Sequence, residues 1–145
     1  MLLGTHEHTI DDKNRLTLPA KFRQDFVDGV VVTRGLEDSC LYAYRREDWS
    51  RLVESRLAPL DPLSKEGRQM RRFFFASATE AELDKQGRVM LPTALIETGK
   101  LGREVVIAGV DDHLEIWDRD AWGRELATME GSAEDVAERL AAKRD

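Results

Sequence analysis

The chain has few of the residues that mark several common classes of protein. Its 145 residues include one cysteine, Cys40, and three histidines. A single cysteine excludes an internal disulfide. The sequence has no apolar run of the about 18 residues that a membrane-spanning helix needs, and no charged-then-apolar leader. We therefore expect no membrane partner, no secretion, and a reducing cytoplasm as the compartment.

Motifs of catalysis are also missing. The chain contains no G-x-x-x-x-G-K-[ST] loop, no G-x-S-x-G elbow and no H-E-x-x-H pair. His6 and His8 could ligate a metal with Cys40 or His113, but histidines two apart on a strand are more often ordinary strand-face residues. Cys40 beside Leu41 is typical of a small apolar core residue. We expect no enzymatic activity, no small-molecule substrate, no cofactor and no metal.

Negative charge predominates, which by itself weighs against a nucleic-acid partner. The chain has 28 Asp and Glu against 22 Lys and Arg, a net charge of −6. The cations are nevertheless concentrated in segments 13–23, which has no acid, and 65–72, which has one glutamate, whereas acids crowd segment 111–145. A surface segregated in this way can bind DNA despite a low isoelectric point, with strong salt dependence.

One short segment occurs twice. Residues 11–22 read DDKNRLTLPAKF and residues 84–95 read DKQGRVMLPTAL. An offset of 73, the difference between Arg15 and Arg88, aligns eleven identical residues across 11–51, where about three are expected from composition. They are Asp11 with Asp84, Arg15 with Arg88, Leu18 with Leu91, Pro19 with Pro92, Gly29 with Gly102, Val32 with Val105, Asp38 with Asp111, Leu41 with Leu114, Arg46 with Arg119, Trp49 with Trp122, and Arg51 with Arg124. This indicates a tandem duplication.

Each repeat predicts a strand, a turn, a strand, a proline-initiated helical turn, two short strands and an amphipathic helix. Turn residues and Val, Thr and Tyr content predict strands at 3–10, 15–18, 30–34, 41–44, 76–83, 88–91, 105–109 and 114–117. Trp49 and Trp122 lie on the apolar stripes of the two helices and are expected in the core.

Two further helices are predicted outside the repeats. Asp61 and Pro62 form a start signal for a connecting helix, and Ser132 with Asp135 forms one for a C-terminal helix. The predicted organisation is a first repeat at 1–58, a connecting helix at 59–75, a second repeat at 76–130 and the C-terminal helix at 131–145.

The repeated segment has the composition of a tight hairpin. The Asp84 carboxylate can accept hydrogen bonds from amides two residues on, and Gly87 can adopt the positive φ that such a turn requires. Asn14 stands at the equivalent place and tolerates the same conformation. Arg15 and Arg88 follow directly, and a guanidinium on a stiff hairpin suits forked contact with a phosphate or with the N7 and O6 edge of guanine.

A plainer interpretation of the same residues is open. Asp11 could pair with Arg15, and Asp84 with Arg88, as local surface ion pairs worth about 0 to 1 kcal/mol each. The spacing alone favours neither interpretation.

The paired D-x-x-[GN]-R-h-x-L-P turns, where h is apolar, resemble those of the bacterial MraZ family within the wider AbrB and SpoVT class. The opening MLLGTHEHTIDDKNRLTLPAKFR and the later LEIWDRDAWGR carry the same likeness, which spans nearly the whole chain. Members of that family are transcriptional regulators of the cytoplasm and nucleoid, and they bind short repeated G-rich boxes upstream of the division and cell wall gene cluster that contains their own gene. The resemblance implies repression of that cluster.

The resemblance also implies a fold. It is α+β and mainly β: a double-split, swapped-hairpin, AbrB-like β-barrel formed by two tandem repeats, with flanking helices. A half-length chain would bury only about 60% of its unfolded surface, so two halves that fold together explain the duplication. The family further implies a homo-oligomeric ring, which would grip promoter direct repeats in double-stranded DNA multivalently.

Carried onto this sequence, the motif implies particular site residues. Arg15 and Arg88 are the expected DNA contacts, and the turn tips add Lys13, Asn14, Lys85 and Gln86. Lys21 and Arg23 follow the first motif and are candidate contacts to backbone phosphates. The turn-shaping residues are Asp11, Asp84 and Gly87.

The two turns depart from each other in two ways. Asn14 replaces the glycine that is usual in the motif, and the tips carry Asp12 and Lys13 in one copy against Lys85 and Gln86 in the other. The hairpins need not contribute equally to binding.

A second function from a different class stays open. The chain could be an oligomeric interaction protein whose Asp-x-x-x-Arg hairpins form subunit interfaces, with Phe73, Phe74 and Phe75 lining a contact. Replacing both arginines separates the two hypotheses, because it would abolish DNA binding in one and the assembly in the other.

Overall fold

The computed structural model describes residues 1–144, and its central feature is an antiparallel β-sheet. The strands of this part of the chain are β1 (Leu2–Thr9), β2 (Arg15–Thr17), β3 (Val30–Arg34), β4 (Cys40–Arg45), β5 (Thr79–Ala81), β6 (Arg88–Met90), β7 (Glu104–Asp111) and β8 (His113–Asp118). Six of them form an antiparallel sheet in the order β1-β7-β8-β4-β3-β5, and β2 pairs with β6 in a separate two-stranded ribbon.

Helices flank the sheet, so the α+β, mainly β class is confirmed. They are α1 (Ala20–Arg23), α2 (Arg46–Leu52), α3 (Lys65–Arg71), α4 (Thr93–Thr98) and α5 (Arg119–Arg144). Two of them continue as π-helical turns, α2 into Val53–Leu57 and α3 into Arg72–Ala76. Within residues 1–144, no helix combines the length and the apolar character needed to cross a membrane.

The elements recur at the offset of the sequence repeat. The starts of β2 and β6, α1 and α4, β4 and β8, and α2 and α5 are each separated by 73 residues, as 15 and 88 or 46 and 119 are. The first strand of each half pairs with the third strand of the other half: β1 runs along β7, from Leu2 opposite Asp111 to Thr9 opposite Glu104, and β5 runs along β3. Each half therefore completes the sheet of the other.

The six-stranded sheet does not close into a barrel, which corrects the double-split β-barrel that the family resemblance implies. Its order begins at β1 and ends at β5, so both are edge strands. β2 and β6 are each three residues long and pair with each other. An isolated β-bridge between Ile10 and Leu16 connects this ribbon to the end of β1. Because β2 and β6 pair with each other, they do not join β1 to β5 across the open edges of the larger sheet.

The main core lies between the ribbon and one face of the sheet. Phe26, Leu16 and Ile107 are fully buried there, and Val89 is 1% exposed. A second buried cluster is made largely of aromatic side chains. Trp117 and Phe74 are buried in it, and Trp49 and Trp122 are partly buried against it. The ribbon is thus fixed to the molecule by its own apolar side chains.

Two helix starts differ from the sequence prediction. α3 begins at Lys65 because the Ser64 hydroxyl caps it by accepting from the Gly67 amide at 2.9 Å, while Asp61 forms a turn with Leu63 instead. The separate start predicted at Ser132 is also wrong, because α5 runs through it and the Ser132 hydroxyl donates to Thr128 O at 2.7 Å. Of the predicted helix at 131–145, the last residue lies outside the described part of the chain.

Candidate nucleic-acid interface

The first hairpin turn is built around one carboxylate. Asp11 Oδ1 accepts hydrogen bonds from the amides of Lys13 at 2.9 Å and Arg15 at 2.8 Å. Asp11 Oδ2 accepts from Arg15 Nε at 2.8 Å. The Arg15 amide lowers the pKa of the Asp11 carboxyl most, the Arg15 guanidinium and the Lys13 amide lower it further, and partial desolvation opposes them. The carboxylate is therefore ionised at neutral pH and holds both the turn and the arginine.

The second hairpin turn repeats this arrangement contact by contact. Asp84 Oδ1 accepts from the amides of Gln86 and Arg88, each at 2.9 Å, and Asp84 Oδ2 accepts from Arg88 Nε at 2.6 Å. The Arg88 amide is again the largest cause of a lowered pKa of the Asp84 carboxyl. Two separate segments thus hold an arginine in the same way.

Both turns need a residue with positive φ at the same place. Asn14 has φ 60° and Gly87 has φ 75°. Asparagine tolerates this region better than most residues, and glycine enters it without steric cost. Gly87 meets a second requirement, because a Cβ there would collide with the Arg23 side chain.

We expect Gly87→Ala to lower the free energy of unfolding by about 1–2 kcal/mol, because alanine in the left-handed region is strained. Gly131→Ala is the matched control, since it lies in α5 and nothing lies within 4 Å of the Cβ it would gain. That change should raise stability by about 0.5–1 kcal/mol through better helix propensity. Urea unfolding measures the free energy of unfolding of both variants. A Gly87→Ala variant more stable than the wild type would contradict a turn that requires glycine at this position.

The ribbon presents the two arginines on one face. Leu16 lies opposite Val89 and both are buried, whereas Arg15 lies opposite Met90 and Thr17 opposite Arg88. Because side chains alternate along a strand, these last four point away from the core. Arg15 and Arg88 are diagonal neighbours, which on an antiparallel pair lie about 7–8 Å apart.

Each guanidinium is oriented without being enclosed. The Arg15 and Arg88 side chains are 27% and 26% exposed, and each uses Nε for its ion pair with the aspartate. Among residues 1–144 no hydrogen bond is recorded to the Nη atoms of either side chain. The local ion pairs of the plainer interpretation are present, and they leave the outer edge of each guanidinium free to bind another molecule.

The other predicted tip residues are spread around the two turns. Lys13, Lys85 and Gln86 are exposed at the tips, and Asn14 Nδ2 donates to Thr93 Oγ1 at 3.1 Å. The Lys21 ammonium lies 5.0 Å from the centre of the Phe22 ring and beside Gly4 of β1. Lys21 is therefore directed toward β1, while Arg23 packs on the second turn.

The motif did not predict three residues of this surface. Thr17 and Met90 complete the outward ribbon face, and the alternation around Leu16 and Val89 is the sequence signal for them. Arg103 Nη2 lies 3.6 Å from Asp12 Oδ1 at the first tip. The pairing with Arg103 has no local sequence signal, because the two residues are distant in the chain.

The histidines and the cysteine considered for a metal or for catalysis do not form one cluster in the described part of the chain. His6 packs edge-on against Phe22 at 5.6 Å, and His113 bonds Asp112 and Glu115 on β8. In the described part of the chain, no three His, Cys, Asp or Glu side chains are grouped so that they could hold a metal ion. Burial raises the pKa of the Cys40 thiol, which keeps it protonated and a poor nucleophile.

Known proteins resemble this chain over nearly its full length. The family described as "MraZ protein, putative antitoxin-like" matches residues 1–70 and 74–144. The chain belongs to the MraZ family. Its MraZ relatives include proteins named transcriptional regulator MraZ from Caldicellulosiruptor saccharolyticus, 42% identical over 97% of this chain and 96% of the relative, and from Desulforamulus reducens, 44% identical over 97% of both.

A third MraZ relative with the same name, from a Thermoanaerobacter species, is 41% identical over 97% of this chain and 96% of its own length. The name that these MraZ proteins share is that of a regulator and not of an enzyme, in agreement with the sequence-based expectation.

Proposed function

We propose that this protein is a sequence-specific, DNA-binding transcriptional regulator and that the outward face of the β2–β6 ribbon contacts the DNA. The observation that carries the proposal is the pair of arginines, Arg15 and Arg88. Each is held at Nε by an aspartate, and its Nη atoms donate no hydrogen bond within the described part of the chain. The regulator names of the MraZ relatives support it.

The geometry of the ribbon suits the major groove of DNA. That groove is about 12 Å wide and admits a two-stranded β-ribbon. A guanidinium whose Nε is already bound loses less conformational freedom when its remaining donors bind a guanine edge. Two such groups on one ribbon can contact neighbouring base pairs. The exposed residues Lys13, Lys85 and Gln86, together with the partly buried Asn14, would add contacts at the tips.

Phosphate contacts would surround this ribbon. Lys21 and Arg23 follow β2 on α1 and are exposed, so both can contact the DNA backbone. Asp11, Asp84 and Gly87 shape the turns and do not themselves bind. Because the net charge is −6, a polyanion is repelled by the chain as a whole and binds where cations are concentrated.

The regulated genes and the assembly are part of the same proposal. The protein represses the division and cell wall gene cluster that includes its own gene, acts in the cytoplasm at the nucleoid, and binds short direct repeats as a homo-oligomeric ring. Exposed apolar side chains along α5, among them Met129 and Leu140, support self-association. Several hairpins on one ring would raise avidity for repeated boxes without stronger single contacts.

The architecture that we propose for the chain is the double-split, swapped-hairpin arrangement of two repeats, 1–58 and 76–130, joined by the connecting segment 59–75 that contains α3, with the distal part of α5 after the second repeat. The pairing of β1 with β7 and of β5 with β3 supports this exchange of strands between halves.

Fluorescence anisotropy with a duplex from the region directly upstream of the protein's own reading frame tests the function. We expect tighter binding than to a scrambled duplex of equal composition. Affinity should fall about a hundredfold between about 50 and 200 mM salt if about four phosphates are contacted. Equal binding to both duplexes, or binding indifferent to salt, would contradict a specific DNA interface.

The alternative is an interaction protein whose hairpins close subunit interfaces. Met90 favours it, because this large apolar side chain is 59% exposed on the ribbon face between the arginines. Under this alternative the arginines would pair with acids of a second copy, and their loss would change the assembly instead of DNA affinity.

A further inference from the structure

The two hairpins share their turn geometry but differ in what packs against them. Arg23, which belongs to the first repeat, lies on the turn of the second repeat. Its Cγ and Cδ atoms cover Gly87, which is buried although it lies at a hairpin tip. Arg23 Nε donates to Leu18 O at 3.1 Å, and the Leu18 amide donates to Gly87 O at 2.9 Å. The backbone of one residue, Leu18, thus links Arg23 to the second tip through its carbonyl and its amide.

The first hairpin has half of this arrangement. The Leu91 amide donates to Asn14 O at 2.8 Å, which is the equivalent of the bond from Leu18 to Gly87. The residue equivalent to Arg23 at the offset of 73 is Ile96, which packs against the main core. Isoleucine has neither a donor for the Leu91 carbonyl nor a charge to present at the tip.

The charges around the tips differ in the same direction. Three cations, Lys85, Arg88 and Arg23, surround the second tip, and one acid, Asp84, lies among them. At the first tip two acids, Asp11 and Asp12, face Lys13 and Arg15. Arg103 approaches that tip, but its recorded partner there is Asp12, at 3.6 Å. A DNA phosphate near Asp12 would meet repulsion that has no counterpart at Lys85.

We propose that Arg23 completes the DNA site of the second hairpin, by bracing its tip and presenting a guanidinium beside it, and that the second hairpin is the stronger of the two DNA contacts. This inference rests on the proposed function. Arg23 Nη atoms have no hydrogen bond recorded among residues 1–144, so they are available to a phosphate next to Gly87. The first hairpin is a weaker second contact that shares the ribbon.

Fluorescence anisotropy with the upstream duplex measures how much Arg23 and each of the two hairpins contribute to DNA affinity. Arg23→Ala should weaken binding about tenfold and reduce the magnitude of the salt slope by about 0.9, the value for one phosphate contact. Arg124→Ala is the matched control, because it removes the same charge from an exposed position on α5; it should change affinity less than about twofold. Arg88→Ala should weaken binding at least about fivefold more than Arg15→Ala.

Two further measurements distinguish a local effect of Arg23 on the DNA site from a general loss of folded structure. Thermal unfolding of Arg23→Ala reports any loss of structure, and Arg23→Lys keeps the charge while lacking the Nε donor. We expect Arg23→Lys to restore the salt slope but only part of the affinity. If Arg23→Ala unfolds, the ratio of the Arg88→Ala and Arg15→Ala losses decides the inference.

The failures are distinguishable. A wild-type protein that ignores the duplex overturns the proposed function, and this assignment with it. A wild-type protein that binds, with Arg23→Ala indistinguishable from Arg124→Ala or with Arg15→Ala as costly as Arg88→Ala, overturns the assignment of Arg23 and leaves the proposed function standing.

Discussion

Changing Arg15 and Arg88 together to alanine is expected to weaken binding to the upstream duplex by about a hundredfold or more and to leave the fold and the assembly size unchanged. A forked arginine contact to a base is worth about 1–3 kcal/mol, and each 1.4 kcal/mol is about tenfold in affinity. The two side chains are 27% and 26% exposed and belong to neither core cluster, so their removal takes nothing from the core. Anisotropy and size-exclusion chromatography measure the two outcomes.

The repeat itself supplies the matched control. Arg46 and Arg119 are the arginines that start α2 and α5 in the two halves, and both are about half exposed in ion pairs with glutamates. Their double replacement by alanine removes the same charge away from the ribbon. If the change at Arg15 and Arg88 instead dissolves the assembly, and the wild type does not bind the duplex, the subunit-interface alternative is correct.

Leu16→Ala is expected to lower the free energy of unfolding by about 2–5 kcal/mol, the range for truncating a fully buried leucine. Leu16 is 0% exposed and lies opposite Val89, which is 1% exposed, on the inward face of the ribbon. The ribbon has few other attachments to the sheet, so a cavity at Leu16 weakens the support of both arginines. Denaturant unfolding followed by tryptophan fluorescence measures the loss.

Met90→Ala is the control for this second change. Met90 belongs to the same ribbon and is similar in size to leucine, but it lies on the outward face and is 59% exposed. We expect a change within about 0.5 kcal/mol, as for most surface positions. Comparable losses at Leu16 and Met90 would mean that the ribbon does not pack on the core in the way described.

Features made by neighbours in the chain were predictable. The strand at 30–34 was predicted with the bounds of β3, and the turns at Asp11 and Asp84 have the carboxylate–amide bonds and positive φ expected of them. These bonds join residues at most four apart. Local residue types therefore suffice to specify them.

Features that depend on distant packing were missed or misplaced. The strand predicted at 76–83 is Thr79–Ala81, because α3 continues through Arg72–Ala76 to bury Phe74 in the second cluster. The separate C-terminal helix is the distal part of α5, since Ser132 makes a bond within the helix instead of capping one. Capping residues predict a helix start only where the chain is free to begin one.

By itself the sequence determined the duplication, the alternation of strands and helices within each repeat, and the carboxylate-built turns before Arg15 and Arg88, because periodicity and turn chemistry act over a few residues. Only the tertiary structure decided that β1 pairs with β7, that the sheet stays open, and that Arg23 covers Gly87 of the other repeat. The contacts between β1 and β7 and between Arg23 and Gly87 join residues that are far apart in the chain. Which distant surfaces meet depends on how the whole chain buries its apolar side chains, and no local pattern encodes that choice.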